Sequence, residues 1–200
     1  MGNIDYERIY KENQDDWKAL TREPQKHEAL LAGHYSDSNH FVYELLQNAE
    51  DARASKAVIE YYEDKLVFYH NGNPFDERDV RGVSSILMGT KDRNSGQTIG
   101  HFGMGFKSVF KYTYQPEIYS DSEAFRIENY LLPVEIIDGW NSHVERQNVV
   151  CVIHGNEIYK PFGDEQHFTK SVIPFTKRNG EGELKLVSGK DVLEKLQGLN

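Results

Sequence analysis

Two periods of hydrophobic and polar residues run along this 200-residue chain. A helical period predicts a helix that begins after Ser36–Asn39 and ends near Ser55. Its apolar stripe consists of Phe41, Val42, Leu45, Leu46, Ala49 and Ala52. A period of two, rich in β-branched and aromatic residues, predicts strands at 56–62 and 65–70 that pair as a hairpin. Helical and strand patterns therefore occur side by side in the first third of the chain.

Weaker patterns extend this interpretation to the rest of the chain. Helices are predicted over parts of 4–20, from Pro24, over 76–87, up to Tyr112 and from 191 to the end; strands are predicted at 116–120, 124–130, 147–154, 170–175 and 182–188. No element is predicted for 131–147. The order of elements indicates an α+β fold, a two-layer α/β sandwich with a mixed, mostly antiparallel sheet covered on one face by helices.

The chain has the length of one domain. We expect N-terminal helices over 1–35, a core over 36–175, and a strand and helix over 176–200. Because the sequence stops just after an apolar helix begins, we expect it to be the front part of a longer protein.

Composition narrows the possible functions. The formal net charge is −9 and the pI about 5.4, which disfavours a general nucleic-acid surface. The single cysteine, Cys151, lies in an apolar run and permits no disulfide within the chain. No apolar run approaches the ~20 residues of a membrane span. These features predict a soluble, cytoplasmic protein that does not bind membranes.

Three polar side chains share one face of the 40–55 helix. Glu44, Asn48 and Asp51 stand at i, i+4 and i+7, so they lie about one turn apart. Such a stripe is commonly a solvated surface. However, an asparagine inside a helix is mildly unfavourable, and the two carboxylates repel each other. A bound divalent cation would offset both costs.

A glycine-rich run forms the second candidate site. Gly100, Gly103 and Gly105 lead directly into a helical pattern, and a polar segment, 88–97, precedes them. Glycine permits positive φ and close approach to a ligand, and a helix start offers free N–H groups to an anion. The run is therefore either a phosphate cradle or a tight turn that packs a helix on a sheet.

Taken together, the motifs resemble the Bergerat-fold ATPases, the superfamily of DNA gyrase B, Hsp90, histidine kinases and MutL. Residues 44–52, ELLQNAEDA, match its motif E-x-x-x-N-A-x-D-A, and 100–106, GHFGMGF, match its glycine motif. The segment 70–75, HNGNPF, and the Thr169 segment resemble its second and fourth motifs. The residues of these motifs are most similar to those of the Hsp90-like branch that includes sacsin and NO VEIN.

This resemblance implies binding of ATP or ADP with Mg²⁺. Asn48 is then the magnesium ligand and Glu44 the general base that activates water. Residues 88–99 are then a lid that closes over ATP. The remaining implied nucleotide contacts are Asp51, His70, Asn71, Gly72, Lys91, Gly100, His101, Phe102, Gly103, Met104, Gly105, Phe106, Lys107 and Thr169. Lys91 and Lys107 are the possible charge partners of the phosphates, although Lys107 also fits a helix surface.

One departure from the family pattern leaves alternatives open. His70 stands where members outside the sacsin and NO VEIN branch usually have an aspartate that accepts a hydrogen bond from the adenine amino group. A neutral histidine can accept through only one nitrogen. His70 either contacts the base or only shapes the turn. We therefore expect a slow ATPase that regulates a larger, chaperone-like protein, with a non-hydrolysing nucleotide-binding module as the alternative.

A protein-histidine kinase is less favoured, because its phosphoacceptor would have to be His27 or His34. The expected partners are an adenine nucleotide, downstream domains of the same protein and a nucleotide-dependent second copy.

Overall fold

A computed structural model describes residues 3–22, 40–85, 105–137, 169–178, 183–186 and 189–190. Its helices are α1 (Tyr6–Thr21), α2 (His40–Asp51), α3 (Glu77–Ser84) and a 3₁₀ helix (Phe106–Lys111). Its strands are β1 (Ala57–Tyr61), β2 (Lys65–His70), β3 (Glu117–Ser120), β4 (Glu123–Glu128), β5 (Leu132–Glu135), β6 (Thr169–Pro174), β7 (Thr176–Arg178) and β8 (Leu184–Leu186).

Six strands form one sheet in the order β1-β2-β6-β3-β4-β5, and every neighbouring pair is antiparallel. β7 and β8 form a separate antiparallel pair. The late strand β6 lies between β2 and β3, so it joins the two halves of the sheet. Helices together with an antiparallel sheet confirm the predicted α+β fold.

The helices pack on one face of the sheet. Side chains alternate along each strand, and Leu66 and Phe68 of β2 point into the same core as the apolar residues of α1, α2, α3 and the 3₁₀ helix. The helical contributors to this core are Tyr6, Ile9, Phe41, Val42, Leu45, Ala49, Val80, Val83, Phe106, Val109 and Phe110. The opposite face carries a smaller cluster around Val67, Tyr69 and Tyr119.

Helix α2 ends four residues earlier than predicted. Arg53 adopts the left-handed conformation at φ 61°, Ala54 N–H donates to the Ala49 carbonyl at 2.8 Å, and Arg53 N–H donates to the Glu50 carbonyl at 2.8 Å. This is a Schellman ending, which usually requires glycine. No glycine stands at this point of the chain, and the predicted helix therefore extended past the observed end. Leu46, assigned to the apolar stripe, is 42% exposed.

Other boundaries also differ from the predictions. α3 begins after the capping residue Asp76 as expected but stops at Ser84, because Ser85 is extended. The residues leading to Tyr112 form a 3₁₀ helix. The strand β5 occupies part of the segment for which no element was predicted, and its burial depends on pairing with β4.

Several predictions fall outside the described residues: the helix from Pro24, the strand at 147–154 with Cys151, the segment 88–99 and the C-terminal helix from 191. Within the described ranges, no helix is long and apolar enough to cross a bilayer.

Candidate functional site

The fold places Glu44 of α2 directly against Gly105 at the start of the 3₁₀ helix. A β-carbon built on Gly105 would lie 1.6 Å from Glu44 Oε2 and 2.5 Å from its Cδ. The two elements are held together by apolar packing, including the Phe41 and Tyr112 rings with centroids 4.8 Å apart. The acidic residue of the first motif and the last glycine of the third motif therefore meet in one site.

Glycine is required at position 105 because the Glu44 carboxylate approaches its backbone closely, and not because the backbone has an unusual conformation. Its φ and ψ are −63° and −43°, which any residue adopts. The space for a side chain is instead filled by the Glu44 carboxylate. The expectation that glycine supplies positive φ is therefore wrong at this position, and the alternative property of glycine, the missing β-carbon, accounts for it.

The other two polar residues of α2 follow Glu44 along the helix. Asn48 is partly buried, and its carbonyl accepts the N–H of Ala52 at 3.0 Å. Asp51 is the last residue of the helix and is exposed. The face predicted from the sequence thus exists, and its buried end is the one nearest Gly105.

The turn after β2 is fixed to the end of α2. A β-carbon on Gly72 would lie 2.6 Å from the Ala52 carbonyl oxygen, and Asn73 N–H donates to that oxygen at 2.7 Å. The Asn71 side-chain oxygen accepts the N–H groups of Ser55 at 3.0 Å and Lys56 at 2.9 Å. This amide oxygen therefore links the first and second motifs by capping the backbone that leads into β1.

His70 is a neutral hydrogen-bond donor in this fold. It is 4% exposed, and burial lowers the pKa of its imidazole to about 4. Its Nδ1 accepts the N–H of Gly72 at 3.2 Å, so the proton of the neutral ring resides on Nε2. The single accepting nitrogen, which the sequence offered for the adenine amino group, is thus already used within the turn.

Three polar side chains form a row across neighbouring strands on the helix-facing side. His70 pairs with Thr169 of β6, and Thr169 pairs with Ser120 of β3. The two hydroxyl oxygens lie 2.6 Å apart, and Phe75 N–H donates to Ser120 Oγ at 2.9 Å. The structure therefore places Thr169 beside His70 on the neighbouring strand. Sequence reasoning missed Ser120, because only the insertion of β6 beside β3 reveals it.

Lys107, at the start of the 3₁₀ helix, reaches backbone carbonyls of two other segments. Its ammonium group donates to the Val83 carbonyl at 2.6 Å and to the Tyr130 carbonyl, and it lies 5.4 Å from the centroid of the Phe110 ring. Burial lowers the pKa of the ammonium group to about 7. The ammonium group of Lys107 is therefore directed at two backbone carbonyls, and its contact with a phosphate stays a prediction.

The remaining predicted contacts lie outside the described residues; they are Lys91, Gly100, His101, Phe102, Gly103 and Met104. Phe106 is buried in the core, at 2% exposure, so its side chain serves packing. Across the described ranges, no group of three His, Cys, Asp or Glu residues is placed to hold a metal ion.

Comparison with known proteins identifies partial relatives, and no family model matches the chain. Protein NO VEIN of Arabidopsis thaliana is 33% identical over 113 residues, which is 51% of this chain and 4% of that protein. Sacsin of Homo sapiens is 32% identical over 106 residues, which is 44% of this chain and 2% of that protein. The chain is thus homologous to a small segment of each, which confirms the predicted similarity to sacsin and NO VEIN.

A solved structure, described as the N terminal domain of a DNA repair protein, superposes with a TM-score of 0.45 at 14% identity. The superposition covers 74% of this chain and 38% of that chain.

Proposed function

We propose that this chain is a Bergerat-type ATP-binding domain that hydrolyses ATP slowly in the presence of Mg²⁺ and regulates a larger protein. The observation that carries the proposal is the placement of the Glu44 carboxylate against the α-carbon of Gly105. A general base must stand beside the reacting phosphate, and a glycine turn at a helix start is where phosphates bind. Homology to segments of NO VEIN and sacsin supports the regulatory part of the proposal.

Each residue then has a defined role in the reaction. Glu44 orients a water molecule and accepts its proton as the water oxygen forms a bond to the γ-phosphorus. The bond from that phosphorus to the β–γ bridging oxygen breaks, and ADP leaves with the electron pair. Glu44 later returns the proton to solvent. Gly105 admits the carboxylate to this position because it has no side chain.

The residues present also fit a magnesium ion. The amide oxygen of Asn48 is a hard ligand on the helix face that carries Glu44, and it would hold the ion at the phosphates. A bound Mg²⁺ ion supplies neutralisation of the charge that develops on the β- and γ-phosphate oxygens.

We expect slow turnover because the proposed mechanism assigns no arginine to the transferring phosphate. An arginine in that role accelerates such reactions by about 10³–10⁵-fold. The nucleotide state would then persist long enough to act as a timer, which suits a regulatory or chaperone-related role in a longer protein.

A second candidate, a nucleotide-binding module without hydrolysis, is favoured by His70. Its accepting nitrogen is occupied by the N–H of Gly72, so the site presents a donor where Bergerat-fold members outside the sacsin and NO VEIN branch usually present a carboxylate. Adenine would then be bound with less selectivity, and the domain would serve as an interaction module. Retention of Glu44 beside Gly105 favours hydrolysis, and for that reason the ATPase is the leading proposal.

Calorimetric titration with ATP, ADP and a non-hydrolysable analogue, with and without Mg²⁺, tests binding. We expect magnesium-dependent binding in the wild type and its loss in Asn48→Ala, with Gln47→Ala as the exposed control on the same helix. Phosphate release then tests hydrolysis. Glu44→Ala should abolish release and retain binding, while Glu50→Ala, an exposed glutamate of α2, should behave as wild type.

The outcomes separate the two candidates. Binding without phosphate release, unchanged by Glu44→Ala, would replace the ATPase by the non-hydrolysing module. Absence of binding at millimolar nucleotide, in protein shown to be folded by circular dichroism, would refute both.

A further inference from the structure

A buried ammonium group joins the last turn of α3 to the turn before β5. Lys107 Nζ donates to the carbonyls of Val83 and Tyr130, which belong to segments 47 residues apart in the numbering of the chain. Val83 lies in the last turn of α3, where carbonyls lack helical partners and carry partial negative charge. Tyr130 lies in the turn before β5 with φ 69°, and its carbonyl accepts the second hydrogen bond from Lys107. The cation thus satisfies two backbone acceptors at once.

A second side chain makes the same connection one residue further along both segments. The Asn13 amide nitrogen, from α1, donates to Ser84 O at 3.0 Å and to Leu131 O at 2.8 Å. Lys107 and Asn13 therefore form two parallel bridges between α3 and the 129–131 turn, which we name the carbonyl clamp. Two independent donors on consecutive carbonyls indicate a defined geometry and not a chance contact.

The clamp acts on the start of the 3₁₀ helix. Lys107 is two residues from Gly105, and Ser108 donates to the Gly105 carbonyl through both its N–H, at 3.0 Å, and its hydroxyl, at 2.6 Å. The stretch 105–108 is therefore one turn closed by two hydrogen bonds. Its position is set on one side by Glu44 and on the other side by the clamp.

We propose that Lys107 is a positioning residue that holds Gly105 against the Glu44 carboxylate, a role that rests on the proposed ATPase function. It acts through the clamp and not by contact with phosphate. Asn13 extends this role to α1, so the N-terminal helix is part of the hydrolytic module. Loss of the clamp should let Gly105 shift away from Glu44, so that the carboxylate is misplaced relative to bound nucleotide. The nucleotide contacts themselves should stay in place.

The first test is kinetic. Lys107→Met should lower kcat for ATP hydrolysis at least about tenfold with KM changed less than about threefold, because small misplacement of a base affects the chemical step. Lys107→Arg retains the donors and should recover most of kcat. Asn13→Ala should lower kcat in the same direction by a smaller factor. Lys111→Met, at the exposed end of the same 3₁₀ helix, is the matched control.

The second test needs no nucleotide. Amide hydrogen exchange should increase in Lys107→Met at both 105–112 and 77–85, and stay at the wild-type level in Lys111→Met. A rise in KM with unchanged kcat would identify Lys107 as a phosphate ligand and overturn the proposal, as would unchanged exchange at 77–85. If the wild type releases no phosphate, the proposed ATPase fails, and the exchange result still decides whether the clamp exists.

Discussion

Replacing Gly105 by alanine should remove hydrolysis and leave the fold nearly as stable as before. The added methyl group would lie 1.6 Å from Glu44 Oε2. To reach an ordinary contact, the carboxylate oxygen must retreat by about 1.8 Å. The Glu44 carboxylate is the far end of a flexible side chain and can rotate away, whereas Glu44 Cβ, 3.0 Å from the added methyl group, must yield by a few tenths of an ångström.

The free-energy terms for stability are small and opposed. A displaced rotamer of Glu44 costs about 0.5–1.5 kcal/mol. Alanine fits the backbone at φ −63°, and it stabilises the folded state by about 0.4–1 kcal/mol because it lowers the conformational entropy of the unfolded chain. The net change in the free energy of unfolding should therefore lie within about 1 kcal/mol of zero. A base displaced by more than an ångström should lower kcat by roughly 100-fold or more.

The assay combines urea unfolding, nucleotide titration and phosphate release on four proteins: wild type, Gly105→Ala, Glu44→Ala and the double variant. We expect Gly105→Ala to bind the non-hydrolysable analogue and to release phosphate as slowly as Glu44→Ala. The double variant should be no slower than either single variant, because both act through the same carboxylate.

Two results would refute this reasoning. Phosphate release at the wild-type rate by a folded Gly105→Ala variant would show that the position of Glu44 against Gly105 is not the catalytic one. A loss of stability far beyond 1 kcal/mol would show that the carboxylate cannot move, contrary to the flexibility assumed.

Three further predictions concern the second motif. Gly72→Ala should destabilise the protein by about 1–3 kcal/mol in urea unfolding, because the backbone carbonyl of Ala52 cannot yield; Asn73→Ala is the exposed control. His70 should make the free energy of unfolding pH-dependent. Its pKa is about 4 in the folded protein and 6.5 in the unfolded chain, so the buried neutral ring contributes its full stability above pH 6.5. That stability is lost as the pH falls towards 4, by up to about 3 kcal/mol. His70→Gln should show a shallower slope in acid titration, and an identical slope would contradict the buried neutral imidazole. His70→Asp should increase the preference for ATP over GTP in calorimetry, since a carboxylate restores an acceptor for the amino group; an unchanged ratio would place the base elsewhere.

The sequence alone was sufficient for the features that depend on neighbouring residues. The period of α2, the β1–β2 hairpin and the capped start of α3 are local patterns, because side chains three or four positions apart on a helix and two apart on a strand share a face. The residue types Glu44, Asn48 and Gly105 could likewise be singled out by their spacing. The end of α2 at Arg53 could not be predicted in this way, because an arginine in the sequence does not indicate a left-handed helix ending.

Only the tertiary structure decided which of these residues meet. Three sets of contacts join segments that lie far apart in the chain. They are the approach of Glu44 to Gly105, the row from His70 to Ser120, and the hydrogen bonds of Lys107 to two carbonyls. Such contacts depend on where β6 enters the sheet and on how α2 packs against the 3₁₀ helix. The protonated nitrogen of His70 depends on one backbone N–H two residues away, whose direction the turn fixes. Spacing identifies candidate chemistry, and packing determines which donor, acceptor or charge each candidate presents.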